Sequence, residues 1–392
     1  MTDTERLLSD ALHARVDHAS YEPTPMADVV GTARALRHRQ RRNAGLAAAA
    51  CVVVLTVPAG LLLSHDGGTG PGPSDHTSSS TPTPARTSLE DLPRGAGPRV
   101  AYAVGDTYVA SDGSRLRVPV ETGISAITPY HGGFLVADDR AFEGTVGLHL
   151  LDGTGAEVDG WCSAGSPVVS GDLMQTAWLS LECDSSAGVT SATIHRGISS
   201  GMGEGEATQT VDPAVDPGAD PNVQLVGLSG EDVVYTSMFG DGAWVTDLQH
   251  PPRRVPGLVR ASAVDATTGL VGGALSGRVG AVVDPSTGEV TMRVPGRLPV
   301  AFSPDGRYVA TLGMTSATRG LSIVDVTTGE QVAELADLSG DVRQVAWEDD
   351  THLVASVRQG PRAALVRTDV TGRLELATPA LGGRDFVLAA RP

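Results

Sequence analysis

The sequence predicts an all-β fold, a β-propeller of seven blades, preceded by one membrane-spanning helix. Three observations carry that prediction. An uncharged run at 44–64 follows five arginines, Arg34, Arg37, Arg39, Arg41 and Arg42. From Arg99 onward the chain breaks into short runs rich in Val, Ile, Thr and Tyr, punctuated by Asp-Gly, Thr-Gly or Ser-Gly, with no helical periodicity. Those turns recur: Asp112-Gly113 is answered at Asp152-Gly153, and Ser286-Thr-Gly288 at Thr328-Gly329 and Thr371-Gly372. A spacing of about 40 to 45 residues is the period of propeller blades.

The elements follow in order. Residues 1–43 form a short arm in which Leu8, Leu12 and Val16 repeat every four residues on one face of a helix. Tyr21-Glu-Pro-Thr-Pro ends that helix, and Thr24 as N-cap with Pro25 behind it starts a second. So short an arm cannot bury a core of its own. Its apolar stripe is either a docking face for a cytoplasmic protein partner or a helix lying on the membrane. Residues 44–64 rise about 31 Å as a helix, enough for a hydrocarbon core of about 30 Å. The arginines on the N-terminal flank put the arm in the cytoplasm and everything downstream outside, as a single-pass protein of the cell membrane. A retained anchor is expected rather than a cleaved signal, because no A-x-A site follows Leu63. Residues 65–97, rich in Gly, Pro, Ser and Thr, read as a flexible tether.

The propeller is expected over 98–392. Its blades read as Ile124–Val158, Trp161–Ser199, Val223–Val255, Leu258–Val294, Leu298–Leu335 and Val342–Thr378. Val100–Val120 is too short for four strands, and Arg384–Ala390 is a strand without a blade. Pairing the two closes a seventh blade from both ends of the domain and removes the exposed edges of an open array.

The chain has 392 residues and a formal charge of −17. Beyond Asn43 stand 22 basic against 40 acidic groups, about −18 outside the membrane. That balance disfavours nucleic acid and other polyanions as partners and leaves neutral or cationic ligands open. There is no lysine, which excludes phosphate loops of the Walker type and Schiff-base chemistry. Cys51 lies in the span and packs as a small apolar residue. Cys162 and Cys183 fall in an oxidising compartment and are expected to form a disulfide, closing a loop on the order of 20 residues and contributing roughly 3 kcal/mol. Their spacing does not suit a metal site.

Ala301-Phe-Ser-Pro-Asp-Gly-Arg-Tyr-Val-Ala-Thr, followed by Leu321-Ser-Ile-Val-Asp-Val-Thr-Thr-Gly-Glu-Gln-Val, resembles the repeat of TolB-type and WD-repeat-like propellers. In such a repeat Phe302 enters the core, Pro304-Asp305-Gly306 makes the turn, and Tyr308 and Ala310 face away from Val309. The Gly-His and Trp-Asp signatures of the strict WD repeat are absent. The whole layout is similar to actinobacterial single-pass propeller proteins, some of which accompany extracytoplasmic-function sigma factors. The resemblance implies a role in envelope signalling, although the arm lacks the H-x-x-x-C-x-x-C motif of zinc-type anti-sigma proteins.

No catalytic, cofactor or metal constellation emerges. Gly197-Ile-Ser-Ser-Gly201 matches the nucleophile elbow G-x-S-x-G but runs into Met-Gly-Glu-Gly-Glu rather than a helix, and reads as a turn. The histidines form no paired spacing. Asp212, Asp216 and Asp220 sit in a thrice-repeated Asp-Pro that reads as a solvated connection, and Glu348-Asp-Asp350 as a charged hairpin tip. Trp161, Trp178, Trp244 and Trp347 are expected in the core. The function expected is a non-catalytic binding or interaction module for a protein or envelope ligand. The alternatives are an extracytoplasmic lactonase, glycosidase or lyase with its site in the central channel, or an envelope-assembly scaffold.

Overall fold

Twenty-nine strands, each two to eight residues long, account for nearly all the regular structure among the described residues. The computed structural model describes residues 87–389 except 121–122, 131, 139–145, 164, 173, 182–191, 199–206, 212–222, 238–241, 316–319 and 336–339. The expected arm, the span at 44–64 and residues 65–86 of the tether lie outside the described residues. No described helix is long and apolar enough to cross a membrane. Among the described residues the helical structure is one 3-10 turn, Leu89–Asp91, capped by Ser88.

The strands pair as seven antiparallel sheets. β1 (Tyr102–Val104), β2 (Thr107–Val109) and β3 (Arg115–Arg117) belong to the closing blade. Blade 1 is β4 (Ile124–Tyr130), β5 (Gly133–Asp138), β6 (Val146–Leu151) and β7 (Glu157–Ser163). Blade 2 is β8 (Val168–Val169), β9 (Gln175–Leu181), β10 (Ala192–Ile198) and β11 (Ala207–Val211). Blade 3 is β12 (Val223–Ser229), β13 (Asp232–Ser237), β14 (Ala243–Thr246) and β15 (Arg253–Arg254). Blade 4 is β16 (Arg260–Val264), β17 (Val271–Leu275), β18 (Val279–Val283) and β19 (Val290–Pro295). Blade 5 is β20 (Arg297–Phe302), β21 (Tyr308–Gly313), β22 (Leu321–Asp325) and β23 (Gln331–Glu334). Blade 6 is β24 (Asp341–Trp347), β25 (His352–Gln359), β26 (Arg362–Asp369) and β27 (Leu374–Leu376), with β28 (Leu381–Gly382) added against β26. β29 (Phe386–Leu388) then pairs with β1 and becomes the inner strand of the closing blade. The expected seven-blade closure by strands from both ends is what the chain does.

Period-two alternation builds the core as seven apolar seams, one at each joint between blades. In β21, Tyr308 and Ala310 pack toward blade 6 while Val309 packs with Phe302 and Val324 toward blade 4, as the alternation requires. The recurring turns all fall at one place, the hairpin between the third and fourth strands of a blade. There an aspartate accepts the N–H two residues on: Ser114 to Asp112, Thr154 to Asp152, Ser286 to Asp284, Thr327 to Asp325 and Thr371 to Asp369, all at 2.7–2.9 Å. The following glycines take positive φ, where a side chain would be strained.

Two boundaries and one side chain differ from expectation. Trp161 was expected to open blade 2, yet Leu148 pairs with Trp161 and Val146 with Ser163, so Trp161 ends blade 1. Gly165 and Pro167 interrupt the chain after it, and the outer strand β11 is reached only past the Gly-rich 199–206. The ordered part also begins before Gly97. Leu89 and Leu92 are buried against blades 5 and 6, Gln359 accepts the Leu89 N–H at 3.1 Å, and Pro93 to Gly95 exchange backbone bonds with Leu376. The third difference is Glu348, expected at an exposed hairpin tip. It is buried because it holds both the Arg367 guanidinium (2.6 and 3.0 Å) and the Arg99 N–H (2.6 Å).

Candidate functional site

The inner strands β4, β8, β12, β16, β20, β24 and β29 face the axis. Five of them, β4, β12, β16, β20 and β24, slip register by one residue against their second strand, at Ser125, Val226, Ser262, Val300 and Arg343. A bulge repeated at one level adds twist and re-aims the side chains that follow it. Side chains from four of these strands, β12, β16, β20 and β24, with β8, enclose an axial pocket of about 120 Å³. Its walls include Val226, Leu228, Ala263, Val300, Phe302 and Trp347.

The pocket's polar side-chain atoms are already engaged. Ser262 Oγ donates to the Pro299 carbonyl at 2.5 Å, and Trp347 Nε1 donates to the Ala301 carbonyl at 3.1 Å. Both bonds stitch neighbouring blades together. Among the described lining residues none is ionisable. Such a wall can hold an apolar group by excluding water from it and has no side chain to move a proton.

The first-to-second-strand turns stand at the end of these walls. In blade 5, Ser303 Oγ donates to Asp305 Oδ1 (2.6 Å), which also accepts the Arg307 N–H (3.0 Å), while Tyr308 N–H returns to Ser303 Oγ (2.9 Å). Ser170-Gly-Asp172 in blade 2 repeats the arrangement with the same partners: Ser170 Oγ to Asp172 at 2.6 Å, Met174 N–H to Asp172 at 3.0 Å and Gln175 N–H to Ser170 Oγ at 2.9 Å. Sequence reasoning found the turn at Ser303 and missed its counterpart, although Ser-x-Asp before a strand was its signal. The Ser170 hydroxyl is the largest influence holding the Asp172 carboxyl below the usual range, with the Met174 N–H second. Burial instead raises Asp232, at the blade 3 turn, against the pull of Arg253.

Two histidine clusters lie away from the inner strands, one within blade 1 and one at the seam between blades 1 and 2. His149 bridges three strands of blade 1, with Nδ1 2.8 Å from Glu157 Oε1 and Nε2 3.2 Å from Asp138 Oδ2. Asp138 also accepts the Gly147 N–H at 2.8 Å. His195 stacks on Trp178 with centroids 5.2 Å apart and shares a 2.6 Å hydrogen bond with Ser180. Trp178 in turn meets Tyr130 edge-on at 5.4 Å and Trp161 at 5.9 Å, filling the seam between blades 1 and 2. Neither cluster was legible in the sequence, since its members lie on different strands with no fixed spacing.

The residues singled out from sequence are placed as follows. Gly197 lies one residue before the end of β10, an antiparallel strand within a blade, and a Cβ there would collide with the Tyr130 hydroxyl and crowd the Trp178 ring. Packing explains that glycine, and the rest of the motif, 199–201, lies outside the described residues. Trp178 and Trp347 are buried, and Trp161 and Trp244 are half-buried. Cys162 lies on β7 opposite Gly147 and is disulfide-bonded; its expected partner, Cys183, is outside the described residues. Leu8, Leu12, Val16 and the Asp212, Asp216 and Asp220 run are outside them as well. Among the described residues no group of three His, Cys, Asp or Glu side chains is placed to hold a metal ion.

No family model matches the chain, and no curated protein sequence matches it. Solved structures are similar in fold. The β-propeller domain of Cps50 (Swd1) from Myceliophteria thermophila is 10% identical with a TM-score of 0.48, over 72% of this chain and 89% of that one. TolB from Acinetobacter baumannii is 13% identical with a TM-score of 0.44, over 74% of this chain and 66% of that one. Prolyl oligopeptidase B from Galerina marginata is 11% identical with a TM-score of 0.46, over 73% of this chain and about half, 52%, of that one. At such identities the likeness concerns the fold alone: the chain has a seven-bladed β-propeller with structural neighbours among the WD40 and TolB propellers.

Proposed function

We propose that this protein is a non-catalytic binding module, anchored in the cell membrane by residues 44–64 with its propeller outside. The observation that carries the reading is the axial pocket, whose described walls are apolar and whose hydroxyl and indole donors are spent on neighbouring carbonyls. An apolar hollow in a rigid ring takes up part of a ligand or partner side chain. The arm, through Leu8, Leu12 and Val16, serves a cytoplasmic protein in the same scheme, and an extracytoplasmic-function sigma factor is the partner class the sequence resemblance implies.

Crosslinked co-purification of the full chain from its native membranes tests both ends together. Ala301→Phe, which fills the pocket, is expected to lose the extracytoplasmic partners and keep the cytoplasmic ones. Leu8→Asp with Leu12→Asp is expected to do the reverse. Identical partner sets from wild type and both variants, at equal thermal stability, would sink the proposal.

A further inference from the structure

The strands that wall the axial pocket run straight into acidic turns. Asp172 follows Val169 by three residues, Glu231 follows Leu228 by three, Asp305 follows Phe302 by three, and Glu348-Asp-Asp350 begins directly after Trp347. Because every blade is an antiparallel meander, these first-to-second-strand turns share one end of the ring. The apolar hollow and the carboxylates are therefore at the same mouth.

The carboxylates divide into two sets. Glu348 is committed to Arg367, and Asp349 to Arg99 and His352. Asp172, Glu231, Asp305 and Asp350 are exposed. Asp172 and Asp305 use Oδ1 for their own turns. Of the arginines at this end, Arg99 pairs with Asp349, Arg367 with Glu348, Arg196 donates to the Glu231 carbonyl, and Arg307 pairs with Asp325 and lies over the Tyr308 ring at 4.8 Å. The rim is negative, and the wall beneath it is aliphatic and aromatic.

We infer that the axial pocket is a binding site for a linear aliphatic ammonium, its alkyl chain between the inner strands and its charged head at the acidic mouth. The length follows from the volume, since an apolar cavity of about 150 Å³ takes the six carbons of benzene and one of about 120 Å³ takes a chain of about four to five heavy atoms. Charge chooses the head group. A carboxylate or phosphate head would meet like charge, and a neutral polar head would find the pocket's own donors already engaged. The chain's own arginines cannot supply the ligand, and with no lysine in the sequence the amine must come from another molecule.

This inference rests on the reading of the protein as a binding module and names the ligand class of that site. The test is saturation-transfer NMR on the full chain in detergent micelles, with n-butylamine, 1-butanol, methylammonium and Nα-acetyl-lysine methylamide as probes. Butylamine is expected to bind saturably and more tightly than butanol, with methylammonium showing no saturation. Binding of the lysine derivative assigns the natural source to a partner's side chain; its exclusion beside bound butylamine assigns it to a free amine. Asp172→Asn with Asp305→Asn keeps an oxygen for each turn and removes the charge. It is expected to weaken butylamine about fivefold while leaving butanol unchanged. Ala301→Phe is expected to abolish both. Equal binding of butylamine and butanol, or butylamine binding insensitive to both variants, overturns the inference. Butylamine binding intact with no partner recovered on co-purification would remove only the wider reading.

Discussion

Asp325 closes its hairpin by accepting the N–H of Thr327 at 2.9 Å and of Thr328 at 3.1 Å, while Arg307 reaches its second oxygen at 3.3 Å. The Thr328 N–H is the largest influence on its carboxyl and lowers it. Burial opposes, Arg307 and Thr327 add to the lowering, and the net shift is below the usual carboxylate range. A carboxyl whose folded value is depressed contributes stability that is present above its unfolded value, about 3.9, and lost as pH falls through the folded value. Asp325→Ala, which removes every bond, is expected to cost about 1–2 kcal/mol at pH 7 by thermal or denaturant unfolding. Asp325→Asn keeps an acceptor for the backbone and is expected to cost less. Both variants should lose less stability than wild type between pH 4 and pH 2, since neither has this carboxyl to protonate. A parallel acid profile in all three proteins would show that the turn, and not its charge, is what matters.

The segment leading into the propeller acts as an element of blade 6. Arg367 spends its guanidinium on Glu348, Glu375 and the carbonyls of Ala96 (3.0 Å) and Gly97 (2.8 Å), with the Glu348 side chain fully buried. Removing one partner of such a pair strands the other, at a cost of about 3–5 kcal/mol. Arg367→Met is therefore expected to lower stability by that order and to free the strap, seen as faster tryptic cleavage after Arg94 or Arg99. Arg367→Met with Glu348→Gln should recover part of the stability, because no charge is left buried. What the sequence disclosed and what it hid divide along the same line. Blade period and the Ser303 turn were legible because they depend on neighbours in sequence, as were Phe302 inside and Tyr308 opposite Val309; closure was legible because the first strands fall short of a blade and the last strand lacks one. The strap falls within 65–97, whose Gly/Pro/Ser/Thr composition reads as tether, and nothing local announced that Leu89 and Leu92 would pack on blades 5 and 6 or that the Arg99 N–H would reach Glu348, 249 residues away. The axial pocket was hidden for the same reason, being assembled from single strands of separate blades.

Ring closure makes the whole domain depend on one late strand. β29 pairs residue by residue with β1, Phe386 packs into the seam with blade 6, and Ala389 and Val387 contribute to the seam with blade 1. Two further bonds lock it: Gln344 Oε1 accepts the Leu388 N–H at 2.7 Å, and Ser356 donates to the Phe386 carbonyl at 2.8 Å. Without it the closing blade lacks its inner strand, two seams open, and β1 is left with an exposed edge that invites pairing between molecules. Phe386→Ala leaves the strand in place and creates a cavity, for an expected loss of about 3–5 kcal/mol with a single unfolding transition preserved. Ending the chain at Gly383 removes the strand and is expected to do more than any point change at an equally buried site: a broad or early transition, with self-association on size-exclusion chromatography. A truncated chain that stays monomeric and melts cooperatively near the Phe386→Ala temperature would mean that the seams between blades, and not closure, hold the ring together.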